Sequence, residues 1–422
     1  MAQITPFKAL RFTEKAGPIR ELVCPPYDII SEEARRAYLR QNPRNVIRLE
    51  LPREGEDPYA QAGQVLSEWE SEGMIATDAV PGIYIYEEAF TAYGKACTVK
   101  GFICRVKLEE FSAGVVLPHE ETLSKAKTDR FDLMRATHCN FSQIYSLYND
   151  DGGCAALLDR LSAGAPDQEL TDSDGVTHRL WIVPENALTA DLCRRFSDKK
   201  LYIADGHHRY ETALNYRRAL AEAGVAPGGA ADYVMMCLVA MEHPGLVVFP
   251  THRIVRGLDR FCADTVLKTC REYFDLTELS DAAEANRALE NAYAVGKKAF
   301  VLYSGRYTLL TLRDLSVMAD ILPGASSALR GLDVSVLHSL VLERLFGIDK
   351  VNMAAGASLT YTRDAAEAVS AVDDGAADCA FLLNPTRVEE IRDVAAAGEK
   401  MPQKSTYFYP KLITGMVMNA LR

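Results

Sequence analysis

The sequence predicts a mixed α/β protein of the α+β kind, and three observations carry that prediction. Short apolar runs bounded by turn residues alternate with stretches of helical spacing along most of the chain. Apolar residues make up 48% and charged residues 25%, the balance of a globular protein with a sizeable core. At 422 residues the chain has room for two or three domains. Changes of pattern suggest an N-terminal α/β region over 1–110, a central region over 111–258 and a C-terminal α/β region over 259–422.

Taken in order, Pro6 to Phe12 reads as an opening strand, and Pro25 and Pro26 hold Tyr27 and Asp28 on a rigid loop. Ser31 caps a helix to Gln41, and Asp57-Pro58 opens another with Val65, Leu66 and Trp69 inward. Ile83–Phe90 and Thr98–Leu108 alternate as a hairpin, and Tyr84 and Tyr86 read as sheet-face packing. Phe131–Cys139 has helical spacing and Asn140–Tyr148 reads as a strand. Asp172-Ser173-Asp174-Gly175 reads as a hairpin tip. Asp232–Met241 and Leu246–Val255 suggest a second hairpin, with Pro250 placing Thr251, His252 and Arg253 at a strand end or sheet edge. Further on come helices near 263–273 and 281–293, a hairpin at 299–312, and a helix from Asp333 whose apolar face includes His338 as a core histidine.

Leu201-Tyr202-Ile203-Ala204-Asp205-Gly206-His207-His208-Arg209-Tyr210 concentrates the chemistry. It reads as strand, tight turn and helix, with Gly206 permitting the turn and Gly224 ending the helix. Gly206, His207, His208 and Arg209 then stand at a helix N-terminus, where unpaired N–H groups and the positive end of the dipole attract phosphate. A carboxylate beside such a site, here Asp205, suits a metal ion, a ribose hydroxyl or a neighbouring imidazole. The alternative is an ordinary solvated first turn.

A second constellation is Pro118-His119-Glu120-Glu121-Thr122, followed by Lys125, Lys127, Asp129 and Arg130. Phosphoryl transfer to an alcohol needs a base at the hydroxyl and cations on the phosphoryl oxygens, and this window supplies both. A third is the stretch with Lys404, Ser405, Thr406 and Lys411, which has the make-up of an anion-binding loop.

The formal net charge of −11 argues against a nucleic-acid partner. The longest apolar run, Tyr233–Met241, is too short to cross a bilayer. Ten cysteines without a Cys-x-x-Cys pair, and no basic and apolar leader before Pro6, suggest a cytoplasmic enzyme with reduced thiols. Neither Gly-x-x-x-x-Gly-Lys-Ser/Thr nor Gly-x-Gly-x-x-Gly occurs in the sequence.

Asp205-Gly206-His207-His208-Arg209 after an apolar strand resembles the signature of the ParB and sulfiredoxin-like nucleotide-binding fold, in the version carried by free-serine kinases. Through Cys24-Pro25-Pro26-Tyr27-Asp28, the His119-Glu120 segment, the central motif, Pro250-Thr251-His252-Arg253 and Met401–Thr406, the chain is similar over its whole length to the prokaryotic family called domain of unknown function 1015. The resemblance implies a kinase using ADP or ATP with magnesium (Mg) on a small hydroxyl metabolite such as free L-serine.

By that resemblance Glu120 orients or deprotonates the hydroxyl beside His119, with Glu121 as its competitor. Gly206, His207, His208, Arg209, Lys404, Ser405 and Thr406 hold phosphates, and Asp205 takes part in catalysis and holds metal. Tyr27, Asp28, Thr251, His252 and Arg253 are the candidate substrate contacts. The 85 residues between Glu120 and Asp205 require an insertion, near 149–197, to be looped out of the core. A second reading is a nucleotide-operated switch like the ParB clamp, with a protein partner and a compatible homodimer. A third, a sulfiredoxin-like transferase, needs a reactive cysteine such as Cys193 or Cys237, and neither has an activating pattern around it.

Overall fold

The computed structural model describes residues 1–120, 122, 124–258, 261–348 and 358–422. It divides into two compact units: residues 1–118, 122–247 and 410–422 form the first, while His119 and Glu120 join 248–409 in the second. Each unit has its own sheet.

The first unit holds a nine-stranded mixed sheet: β1 (Ile4–Thr5), β2 (Gly82–Ala92), β3 (Lys95–Lys107), β4 (Val116–Leu117), β5 (Ile144–Tyr148), β6 (Gln168–Thr171), β7 (Thr177–Pro184), β8 (Leu201–Asp205) and β9 (Tyr233–Ala240). The strand order is β4-β8-β5-β9-β3-β2-β7-β6, with β1 beside β3. Strands on either side of residue 110 therefore share one sheet, whereas the sequence suggested a break there. The hairpin β2–β3 turns through Tyr93 and Gly94, both at positive φ (51° and 70°), the conformation that matches the twist of two joined strands. The interval between residues 149 and 197 supplies β6 and β7 at the far edge of the sheet, which leaves β8 directly beside β5.

Alternation gives the sheet two unlike faces. Ile83, Ile85, Phe102, Cys104, Ile144, Met236, Leu238 and Ile203 build the main apolar core. The opposite face carries Tyr84, Tyr86, Glu88, His178, Cys237 and Tyr145, all buried. A β-bulge decides which face Asp205 joins. Ile203 pairs with Ser146, but Asp205 pairs with Tyr145, so Ala204 is one residue too many and the side chain of Asp205 lands on the polar face.

Helices close the unit. Ser31 and Asp57 accept backbone N–H groups at the starts of α1 (Glu32–Gln41) and α2 (Pro58–Ser71), as their sequences predict. α3 (Ser124–Thr137) begins earlier than its apolar spacing suggested, and α4 (His207–Glu222) follows β8.

In the second unit six antiparallel strands, β10 (His252–Val255), β11 (Phe274–Leu279), β12 (Ala299–Tyr303), β13 (Tyr307–Leu312), β14 (Leu359–Thr362) and β15 (Cys379–Leu383), run in the order β11-β13-β12-β15-β10-β14. Two expectations fail here. β9 and β10 lie in different sheets, so the predicted hairpin across Glu242–Gly245 does not form. The second fails only in part: β10 pairs on both sides and is no sheet edge, but Pro250 does stand at a strand end, just before His252, where its missing N–H costs no ladder bond. The helix expected from Asp333 continues as a wide-turned π-helix over Val336–Leu345.

Gly101 marks how closely the centre of the first sheet is packed: a Cβ there would lie 2.5 Å from the Leu238 carbonyl oxygen and 2.6 Å from a Val239 methyl. Gly101→Ala should therefore destabilise the first unit by about 1–3 kcal/mol, read as a lowered denaturant midpoint at unchanged slope.

Candidate functional site

The junction of β8 and α4 is built around Asp205. Gly206 follows it at φ 96°, left-handed, which lets the chain turn sharply from strand into helix. A side chain there would also collide with Arg209, whose Nε lies 2.9 Å from the position of a Cβ. Being glycine, this cap contributes no side-chain acceptor to the first turn of α4, which carries His207, His208 and Arg209.

Asp205 is gripped from two directions. Arg209 Nη2 donates to its Oδ2 at 2.7 Å, and Lys411 Nζ, 206 residues away, donates to its Oδ1 at 2.8 Å. Burial alone would raise this carboxyl, but Lys411, Arg209 and the neighbouring His207 outweigh burial and hold it far below the ordinary carboxylate range. Arg209 Nη1 also donates to the backbone oxygen of Gln143, fixing the guanidinium in the cradle. Two cations around one carboxylate at a helix N-terminus leave the cradle net positive, the electrostatics of an anion site.

Arg209 connects this cradle to the N-terminal loop. The Tyr27 ring is stacked by Arg130, whose guanidinium carbon lies 4.1 Å from the ring centroid. Burial pushes the Tyr27 hydroxyl up to about 12 against the pull of Arg130 and Arg209. Asp28 is exposed. Beneath them the Glu50 carboxylate, itself buried, accepts from Ser142 at 2.8 Å and lies 3.8 Å from Arg130 Nη1. A cavity of about 30 Å³ between Glu50, Arg130, Ser142, Arg209 and Thr212 has room for a water, and Thr212 Oγ1 lines it without a partner among the described residues.

On α4, Glu211 ties down the start of α3. It accepts from Thr122 Oγ1 at 2.9 Å on both oxygens and from Lys127 Nζ at 2.8 Å. Glu211, Glu50 and Gln143 escaped sequence reasoning, since nothing in their local pattern marks them. Lys127, expected among cations for a phosphoryl group, is committed to Glu211 in this structure.

The second unit gathers another group of expected residues. The backbone oxygen of His119 accepts from Met401 N–H at 2.7 Å, and Glu120 Oε1 accepts from Lys404 N–H at 3.2 Å. The His119 ring meets Thr406 Oγ1 at 3.0 Å, while the Ser405 backbone oxygen accepts from Thr386 at 2.8 Å. Lys404 adopts φ 57°, a left-handed conformation uncommon for a residue with a side chain. Lys404, Ser405 and Thr406 thus form one hydrogen-bonded piece with His119 and Glu120. Glu121 lies outside the described residues, and the side chain of Lys125 is not described.

Thr251, His252 and Arg253 are buried, contrary to their expected place on an exposed rim. His252 Nδ1 accepts from Leu383 N–H at 3.1 Å, and burial reinforced by Arg253 lowers this imidazole to about 4, so it is a neutral packing group. Arg253 donates to Thr251 O, to Lys404 O at 3.2 Å and to His338 Nε2 at 3.2 Å. The core histidine therefore serves as an acceptor for a buried guanidinium.

Among the described residues no group of three or more His, Cys, Asp or Glu gathers to hold a metal. Cys237 is fully buried, and burial drives its thiol far up; Cys193 is half-buried, and burial raises it to about 11. Neither thiol has the depressed acidity of a reactive cysteine.

The Asp205 shift has a definite sign. Its carboxyl is more acidic folded than unfolded, so its stabilisation is full above the unfolded value of about 4 and drains away on further acidification. The stability difference between the parent and Asp205→Asn should be constant from pH 8 to 5 and shrink below about pH 4, measured by urea unfolding.

Several solved structures are similar to this chain at low identity. A free serine kinase in complex with AMP is similar at 14% identity and a TM-score of 0.37, with 77% of this chain and 92% of that one covered. SbnI with C-terminal truncation from Staphylococcus aureus is similar at 12% identity and a TM-score of 0.37, covering 74% and 86%. A conserved hypothetical protein from Pyrococcus furiosus is similar at 13% identity and a TM-score of 0.35, covering 75% and 95%. No curated protein matches. The model of the family described as "Protein of unknown function (DUF1015)" matches residues 4–335, most of the chain, and the chain belongs to that family.

Proposed function

We propose that this protein is a nucleotide-dependent phosphotransferase acting on a small hydroxyl metabolite. The motif resemblance names free L-serine as acceptor and ADP or ATP as donor. The observation that carries the reading is the cradle of the first unit: Arg209 and Lys411 held by Asp205 at the N-terminus of α4, with Gly206 leaving room for the Arg209 guanidinium.

In this reading the phosphates of the donor lie against the first turn of α4, where backbone N–H groups and the Arg209 and Lys411 charges meet them. Asp205 orients both cations before the ligand arrives, so little side-chain freedom is lost on binding. Magnesium, when bound with the nucleotide, would supply further charge neutralisation, and Asp205 would hold it by exchanging its bond to Lys411. The acceptor oxygen forms a bond to phosphorus as the bond to the nucleotide breaks, and the hydroxyl proton passes to a carboxylate. Glu120 takes that role by its motif alone. Tyr27, Asp28, Thr251 and Arg253 keep their substrate assignment by motif, while His252 drops out as a packing group.

Incubation with serine, magnesium and either nucleotide should yield phosphoserine detectable by mass spectrometry. Glu120→Ala should lower turnover on the order of 10²–10⁴-fold while sparing nucleotide affinity. Arg209→Ala should weaken nucleotide binding about tenfold or more, since it removes a charged hydrogen-bond donor; unaltered affinity would count against the cradle. Nucleotide binding without phosphoserine would favour the switch reading.

A further inference from the structure

The polar face of the first sheet contains a hydrogen-bonded cluster that the proposed reaction does not use. Tyr86 on β2 and His178 on β7 are buried, and the Tyr86 hydroxyl lies 2.6 Å from His178 Nδ1. His178 Nε2 reaches Asp172 Oδ2 at 3.1 Å. Burial alone would raise Asp172, but its bonds to His178 and to the Val176 N–H lower it, so it is an ionised acceptor. Nε2–H therefore donates to Asp172, and Nδ1 pairs with the Tyr86 hydroxyl. Glu88 Oε1, buried beside them, lies 3.3 Å from the Tyr86 hydroxyl and 3.6 Å from Nδ1.

The hydroxyl has a lone pair to spare, and it is used on the C-terminal segment. Ile413 N–H donates to Tyr86 Oη at 3.4 Å, and Ile413 O accepts from Gln143 Nε2 at 3.1 Å. Gln143 is the residue whose own carbonyl takes Arg209 Nη1. Two residues before Ile413 stands Lys411, on Asp205. The segment that delivers the second cation is thus pinned from the sheet, at a position fixed by the Tyr86–His178 pair.

We propose that Tyr86, held by His178, Glu88 and Asp172, is the positioning residue that seats the C-terminal segment and so places Lys411 in the cradle. The link to ligand affinity rests on the cradle reading above; the seating itself does not.

The cluster is built of titratable groups. Burial, opposed by His178 and Tyr86, raises the Glu88 carboxyl to about 7. The groups facing it are Tyr86 from its own strand, His178 from β7, Asp172 from the turn, Cys237 from β9 and Tyr145 from β5. A carboxyl raised in the folded state contributes stability that is full below its ordinary value of 4.5 and is lost as pH rises to the folded value of about 7. The seat should loosen over that window.

The test is amide hydrogen exchange of the full chain, without nucleotide, followed as protection factors for the peptide spanning 408–416 and for β9 as an internal control. Tyr86→Phe should lower protection of 408–416 about two- to tenfold, the factor a single hydrogen bond is worth, and leave β9 unchanged. Equal protection in parent and variant, or an equal fall in β9, would overturn the proposal. Across about pH 5 to 7 the parent's protection of 408–416 should fall and that of Glu88→Gln should stay level. A level parent, or a slope surviving Glu88→Gln, would remove Glu88 from the device. ADP affinity is measured alongside. A parent that binds no nucleotide defeats the phosphate cradle and leaves the exchange result standing. A Tyr86→Phe chain that loosens yet binds ADP like the parent defeats the link from segment to cradle.

Discussion

A single half-buried carboxylate with two cations on it sets the character of the first unit. Asp205 joins parts of the chain that are far apart in sequence: the end of β8, the first turn of α4 through Arg209, and the C-terminal segment through Lys411. Each of these three groups is mostly withdrawn from water, so leaving one without the others would be costly: a partly desolvated ion needs a partner in place of its lost water. Together they are mutually satisfied and still carry one excess positive charge. A site whose members are needed by each other is also one that arrives at its ligand already ordered.

The bulge at Ala204 is what makes the arrangement possible. Were Ala204 paired regularly instead of bulged, Asp205 would share the face of Ile203, among the apolar side chains of the main core. With the bulge, the carboxylate sits beside Tyr145 on the face that also bears Tyr86, Glu88 and His178. Asp205, Glu88 and His178 are thereby gathered on the side of the sheet away from the main apolar core.

What was legible in the sequence follows the range of the forces involved. Local signals were read correctly: the Ser31 and Asp57 caps, the β2–β3 hairpin, and the strand, turn and helix around Gly206 each depend on residues within a few positions of one another. The Asp172 turn belongs with them, its carboxylate accepting the N–H groups of Asp174 and Val176. Long-range choices were not legible. Nothing near Lys411 says that its partner is Asp205, and nothing near Thr251–Arg253 says that two strands will flank it. Proline at 250 signals a sheet edge or a strand end alike, and only the flanking strands, distant in sequence, decide for the strand end.

Arg253 shows how a buried charge can organise without an acid beside it. Among the described residues its hydrogen bonds run to two backbone carbonyls and to His338, and the Tyr361 ring lies 5.4 Å from its guanidinium carbon; burial lowers it to about 10. A guanidinium satisfied by dipoles alone orders the groups that supply those dipoles, and one of them is the carbonyl of Lys404, a residue held at an unfavourable φ. The loop of Lys404, Ser405 and Thr406 is fixed in turn to His119 and Glu120. Taking a proton from a hydroxyl requires a carboxylate oxygen turned towards it, and Glu120 Oε1 is committed to the Lys404 amide. The arginine that shapes the loop therefore also helps to decide how Glu120 is held, which ties the second unit's buried charge to a candidate base.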